Sequence, residues 1–145
     1  MHVKDRILVH LERDFNRAIR DPLWGNIYVS DGMLNLVNSR EFQQLSRIKQ
    51  LGPSYLVYPG ATHTRLAHSL GVFHVAFRMI RALLPFESCP EMSREAVNSY
   101  LCAALLHDLG HFPFTHSLKE LPLEEHEQLA AGMIMDEPLA GIIRD

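Results

Sequence analysis

Nine histidines stand among the 145 residues. The stretch Ala103-Ala104-Leu105-Leu106-His107-Asp108-Leu109-Gly110-His111 puts two of them where chemistry is possible. An apolar helix delivers an imidazole and a carboxylate side by side, and a glycine then turns the chain away. Neutral imidazole with carboxylate is a usual ligand pair for borderline and harder divalent metals. Neighbouring residues on an α-helix diverge by ~100°, so the two side chains cannot stack on one face. Both can still reach a single ion lying over the helix end, where Gly110 opens space. Such a site needs a further imidazole from a different helix. Residue types alone leave a plainer reading open. His107 could sit near a helix C-terminus, where an imidazolium suits the dipole, and Asp108 could be solvated; a lone HD dipeptide is a weak motif.

The elements that would position this pair can be read from periodicity and punctuation. Apolar residues at 3, 7, 8, 11, 15, 18 and 19 predict a helix over Val3–Ile19, ended by Asp21-Pro22. The run from Trp24 to Val29 predicts a turn and a short β segment, a small hairpin closed by Ser30-Asp31-Gly32. Ser39 is placed to cap a helix carrying Phe42, Leu45 and Ile48 up to Leu51, where Gly52-Pro53 stops it. Thr62 or Thr64 caps a long helix to about Leu84, before Pro85, and Ser93 caps another that runs into His107-Asp108. A short helical piece between Pro113 and Pro122 and a helix over Leu123–Met135 complete a nearly all-α chain without repeats or linkers.

Composition narrows the class. The length suits one ordinary domain, and 47% hydrophobic residues supply a core. Fourteen basic against seventeen acidic residues give a net charge of −3. That speaks against a general nucleic-acid binder, which carries a basic stripe, but leaves room for a small phosphate-bearing ligand. Cys89 and Cys102 show no paired spacing, which fits a reducing cytoplasmic setting better than a disulfide framework. Residues 1–20 are charged throughout, unlike a signal peptide. No uncharged apolar run approaches the ~20 residues of a membrane span.

Five ordered blocks, spanning about Arg20 to Leu129, carry a resemblance. They are Arg20-Asp21-Pro22-Leu23-Trp24-Gly25-Asn26-Ile27, the segment from Glu41 to Gly52 ending Ile48-Lys49-Gln50-Leu51-Gly52, the segment Pro59-Gly60-Ala61-Thr62-His63-Thr64-Arg65-Leu66-Ala67-His68-Ser69-Leu70-Gly71-Val72, the segment from Leu106 to His116, and Glu125-His126-Glu127. Together they resemble the HD-domain phosphohydrolase superfamily, in particular its deoxynucleoside-triphosphate triphosphohydrolase-like branch. The resemblance implies an all-α HD-domain helical bundle, with residues 1–145 forming a single HD domain that is incomplete at its C-terminus. It implies a divalent metal (manganese, magnesium, iron or zinc) on His68, His107 and Asp108. It sets His111, His116 and His126 around the scissile phosphate, turns Arg65 toward phosphate, and puts Gln50 and Leu51 against the sugar of a nucleotide.

The chemistry suits these residue types. Phosphoryl transfer asks mainly for charge neutralisation and alignment, which a cation supplies, and imidazoles titrate near working pH. Arg65 lies three residues before His68, on the same helical face, and its planar fork can clamp phosphate. Taken singly, His111 and His116 could instead bond backbone carbonyls at helix ends. His126 could be a surface histidine among carboxylates, and Arg65 a surface ion pair worth little. His63 and His74 fall off the ligand positions and read as structural, as does Cys102.

The chain also departs from the pattern it resembles. The resembled metal set has a fourth ligand, an aspartate well downstream. After Glu127 only Asp136, Glu137 and Asp145 are acidic, and none has that context. Ser46 replaces an expected arginine, which argues against nucleotide-activated regulation, and Lys119 follows His116 where an acidic residue is expected. The expected function is hydrolysis of a nucleotide, a deoxynucleoside triphosphate first. The alternative is a non-hydrolysing HD module that binds metal or nucleotide for regulation. Uncovered apolar helix faces suggest a homo-oligomer.

Overall fold

The computed structural model describes residues 3–113 and 125–144. Among them are seven α-helices and one two-stranded sheet. The first helix, α1 (Val3–Arg13), buries Ile7, His10 and Leu11. It is shorter than its apolar periodicity predicts. Asn16 donates from Nδ2 to the carbonyl of Arg13 and closes the last turn. The chain then enters β1 (Arg17–Asp21) instead of continuing as helix to Ile19. The two patterns overlap here, because Ile19 satisfies both a helical stripe and the alternation of a strand paired with its neighbour.

That neighbour is β2 (Gly25–Val29), antiparallel, with Ile19 opposite Ile27 and Asp21 opposite Gly25. Asp21-Pro22 therefore starts a turn. The Asp21 carboxylate accepts from the backbone N–H groups of Leu23 and Trp24 at 2.8 and 2.9 Å, and Gly25 takes the left-handed φ of 75° that the turn requires. Ile27 and Val29 point into the core, fully buried.

The predicted closing turn at Ser30-Asp31-Gly32 is instead a helix start. Ser30 accepts from the N–H of Met33, and α2 (Asp31–Asn38) follows with Asp31 in its first turn, favourable to the dipole. Turn and N-cap use the same residue types, so the sequence signal was ambiguous. Ser39 then caps α3 (Arg40–Gln43) by accepting from Phe42 N at 3.2 Å. This helix tightens at once into a 3-10 turn over Gln44–Arg47, so the helix predicted to Leu51 stops early. The reason lies in the spacing. Phe42, Leu45 and Ile48, all buried, recur every three residues, the period of a 3-10 helix rather than of 3.6. A second 3-10 turn spans Gly52–Leu56.

The centre of the molecule is α4 (Arg65–Leu83) packed on α5 (Arg94–Leu106). Thr64 and Ser93 cap them, accepting from Ala67 N and Ala96 N at 3.2 and 3.1 Å. Such caps are worth ~1 kcal/mol each. Phe73 and Phe77 of α4 meet Leu101 and Leu105 of α5 in the core. Residues 125–144 carry α6 (His126–Met135) and α7 (Leu139–Arg144), the latter against α2. The short piece predicted between Pro113 and Pro122 and the start of the helix predicted from Leu123 fall on residues outside the described set, as do Phe114, His116 and Lys119. Among the described residues the architecture is all-α apart from the one hairpin. No helix among the described residues is long and apolar enough to cross a membrane.

Candidate metal centre

His68 comes from the second turn of α4, and His107 and Asp108 from the turn that ends α5. The helix packing brings them together. The Nε2 atoms of His68 and His107 lie 3.3 Å apart. His107 Nε2 is 3.4 Å from Asp108 Oδ1, and His68 Nε2 is 3.8 Å from Asp108 Oδ2. Donor atoms held about 2.1 Å from one cation are separated by roughly 3.0 Å at right angles and 3.4 Å at the tetrahedral angle. The His68–His107 and His107–Asp108 separations match these values, and the His68–Asp108 one is wider. One ligand atom from each residue lies within 4.8 Å of the others, a cluster that could hold an ion.

The tautomers agree with that use. His107 Nδ1 lies 3.0 Å from the carbonyl oxygen of Ala104. A carbonyl only accepts, so Nδ1 carries the proton and Nε2 presents a lone pair toward His68. With the His107 Nε2 lone pair directed at it, His68 Nε2–H can donate to that atom at 3.3 Å when no cation lies between them. Burial, with His107 and Arg65 nearby, holds the His68 pKa below its ordinary value despite the opposing pull of Asp108. The neutral, ligating form is thereby favoured. For Asp108, burial works to raise the pKa, but the imidazoles of His107 and His111 and the guanidinium of Arg65 outweigh it. The carboxylate stays ionised.

His111 adjoins this cluster. Its Nδ1 lies 3.2 Å from the Asp108 carbonyl oxygen and 3.3 Å from Asp108 Oδ1. Burial first, then Arg65 and His126, bring its pKa down to about 4 against the pull of Asp108. The rings of His111 and His126 are 3.9 Å apart, centroid to centroid, and His126 Nε2 is 3.1 Å from Glu127 Oε1. The structure thus joins five of the expected residues, with His116 outside the described set. Arg65 also joins them. It is buried, and Nη1 donates to Asp108 Oδ2 at 2.7 Å. Gln50 and Leu51 sit one strand-like bridge away from the start of α4, with Gln50 N–H donating to the His63 carbonyl at 3.1 Å. The Leu51 side chain is exposed.

Two contributors have no signature in residue type. The Ala104 carbonyl orients His107 through backbone alone. Gly110 does not open space for an ion, as its place in the sequence suggests. A Cβ built there would lie 1.9 Å from the His126 carbonyl oxygen and 2.6 Å from Ala130 N. Its missing side chain is what lets the first turn of α6 close against the HD turn, bringing His126 to His111. A cavity of about 920 Å³ runs along α4 and α5 and touches the centre at His68. Ala67, Gly71, Val75 and Ala104 give it hydrocarbon walls, poor partners for a phosphate.

Residues 65–143 match the family model described as HD domain. The chain is 41% identical over 122 residues to the uncharacterized protein YwfO of Bacillus subtilis, covering 83% of this chain and 28% of that one. It is 38% identical over 115 residues to the deoxynucleoside triphosphate triphosphohydrolase SAMHD1 of Bos taurus, covering 79% and 20%. Among solved structures, a phosphohydrolase from Bacteroides thetaiotaomicron superposes with a TM-score of 0.78 at 34% identity, over 89% of this chain and 33% of that one. The chain spans about a third or less of these relatives. With more than half of its length under the family model and the helical architecture in agreement, the chain belongs to the HD domain family.

Proposed function

We propose that this chain is a metal-dependent phosphohydrolase domain whose substrate is a nucleotide, a deoxynucleoside triphosphate first. The observation that carries the reading is the approach of His68, His107 and Asp108, whose ligand atoms lie within 4.8 Å of one another. Two identities support it: the SAMHD1 relative, a deoxynucleoside triphosphate triphosphohydrolase, and the phosphohydrolase of similar fold.

A divalent ion held by these three residues would neutralise charge on the non-bridging phosphate oxygens and activate water. The chain's own groups do the rest. His107 keeps its Nε2 lone pair aimed inward because the Ala104 carbonyl accepts a hydrogen bond from Nδ1–H. Asp108 adds the negative charge that holds a cation. His111, neutral with its pKa down at about 4, can accept a hydrogen bond or a proton at the reacting oxygens, and His126 lies in ring contact with it. His116 is proposed for the same task from its motif position, and Gln50 and Leu51 for contact with the sugar.

The test is release of phosphate or tripolyphosphate from each deoxynucleoside triphosphate by manganese-loaded protein. His107→Ala and Asp108→Ala proteins that still fold should lose it. Full turnover by either variant would refute the assignment. Nucleotide binding without turnover under several metals would favour a regulatory module instead.

A further inference from the structure

We infer that Arg65 is a positioning residue whose guanidinium, through Nη1, sets the orientation of Asp108 at the metal centre. The inference rests on the reading of His68, His107 and Asp108 as metal ligands. Asp108 follows the last turn of α5, in a turn closed by the Leu109 N–H to the Leu106 carbonyl and the His111 N–H to the Asp108 carbonyl, bonds that leave its side-chain direction open. Contacts must therefore decide where its carboxylate points.

The firmest of them is Arg65. Its Nη1 donates to Oδ2 at 2.7 Å, the short distance of a charge-assisted bond. Both side chains are withdrawn from water, with 5% and 10% exposure. A guanidinium so deeply placed needs a fixed counter-charge, and among the described residues Asp108 is the carboxylate it meets.

Arg65 is itself rooted. Its backbone N–H donates to the Ile48 carbonyl at 2.9 Å, and it opens α4 directly after the Thr64 cap. The same first turns carry His68 three residues on. One rigid helix start thus presents the first ligand and, through Arg65, orients the third, which belongs to a different helix. With Oδ2 engaged by Arg65, Oδ1 lies 3.4 Å from His107 Nε2 and 3.3 Å from His111 Nδ1. The direction in which Asp108 would offer its carboxylate to a cation is then set by side-chain contacts before any ion arrives. Outer-shell partners of this kind typically change metal affinity by about 10–100-fold when removed.

The experiment is calorimetric titration of manganese into metal-free wild-type, Arg65→Met and Arg65→Lys proteins. Mn(II) electron paramagnetic resonance of each complex and tripolyphosphate binding to each loaded protein accompany it. The expected result is a loss of manganese affinity of about tenfold or more in Arg65→Met, with an altered resonance line shape and partial recovery in Arg65→Lys. Wild-type manganese affinity and line shape in Arg65→Met, with only tripolyphosphate binding lost, would overturn the inference and make Arg65 a phosphate contact. Should Arg65→Met fail to fold, Arg65→Lys decides alone. Weaker manganese binding with a changed line shape supports the inference, and wild-type behaviour overturns it. Absence of manganese binding by the wild-type protein strikes the metal-centre reading first and this inference with it, and is seen before any variant is compared.

Discussion

Replacing Gly110 by alanine asks whether the close seating of α6 on the HD turn is what joins His126 to the site. Gly110 is not among the positive-φ glycines, Gly25 and Gly52, so alanine meets no backbone strain there and the effect is steric. The new Cβ would lie 1.9 Å from the His126 carbonyl oxygen, 2.6 Å from Ala130 N and 3.0 Å from the His126 carbonyl carbon. All three are backbone atoms that no rotamer change can move aside. To reach even 3.0 Å, the first turn of α6 must retreat by roughly 1.1 Å. Overpacking of this kind costs ~1–3 kcal/mol, and alanine returns up to ~1 kcal/mol by restricting the unfolded chain. Because the colliding atoms are rigid, a net loss of about 2 kcal/mol is expected. For a domain of this length that lowers Tm by about 4–8 °C. The retreat carries the His126 ring away from His111, now 3.9 Å distant. Thermal denaturation by circular dichroism measures the first effect, and nuclear Overhauser contacts between the two imidazoles the second. An alanine variant melting within about 2 °C of wild type, with the ring contact intact, would show that the packing argument is wrong.

Two further outcomes follow from groups away from the centre. The Asp14 pKa is lowered chiefly by its hydrogen bond with His10, and also by Arg94, whose Nη2 donates to the same Oδ2 at 2.7 Å. A carboxyl lowered in the folded state adds stability above its unfolded pKa and loses it as pH falls through the folded value. The stability gap between wild type and Asp14→Asn should therefore narrow as pH drops from about 4 toward 2, read by urea unfolding. A gap independent of pH contradicts the pairing. Burial raises the Cys102 thiol pKa, so alkylation by iodoacetamide near neutral pH should be slow at Cys102. Rapid labelling there, located by peptide mass mapping, would refute its placement.

Residue identities carried a large part of this description. Thr64, Ser39 and Ser93 act as the caps their side chains suit, since an N-cap is a local bond between neighbours in the chain. The long helix bearing His68 and the helix leading to His107 were legible for the same reason, and so was the resemblance to HD domains. Boundaries misread locally were those where two patterns coincide. Ile19 fits a helix and a strand, Ser30 a turn and a cap, and the triplet spacing of Phe42, Leu45 and Ile48 marks a 3-10 turn.

Matters settled only by contacts between distant segments were hidden. Nothing local to His68 says that its Nε2 will lie 3.3 Å from that of His107, because that distance depends on how α4 crosses α5. Arg65 in sequence could equally face solvent, phosphate or carboxylate. It lies against Asp108 because a buried guanidinium must find the nearest anionic partner. Gly110 reads as a simple turn, whereas its missing side chain is filled by the backbone of α6. Side-chain chemistry is a property of each residue and can be read in order along the chain. The meeting of those side chains is a property of packing, where the whole core must be satisfied at once.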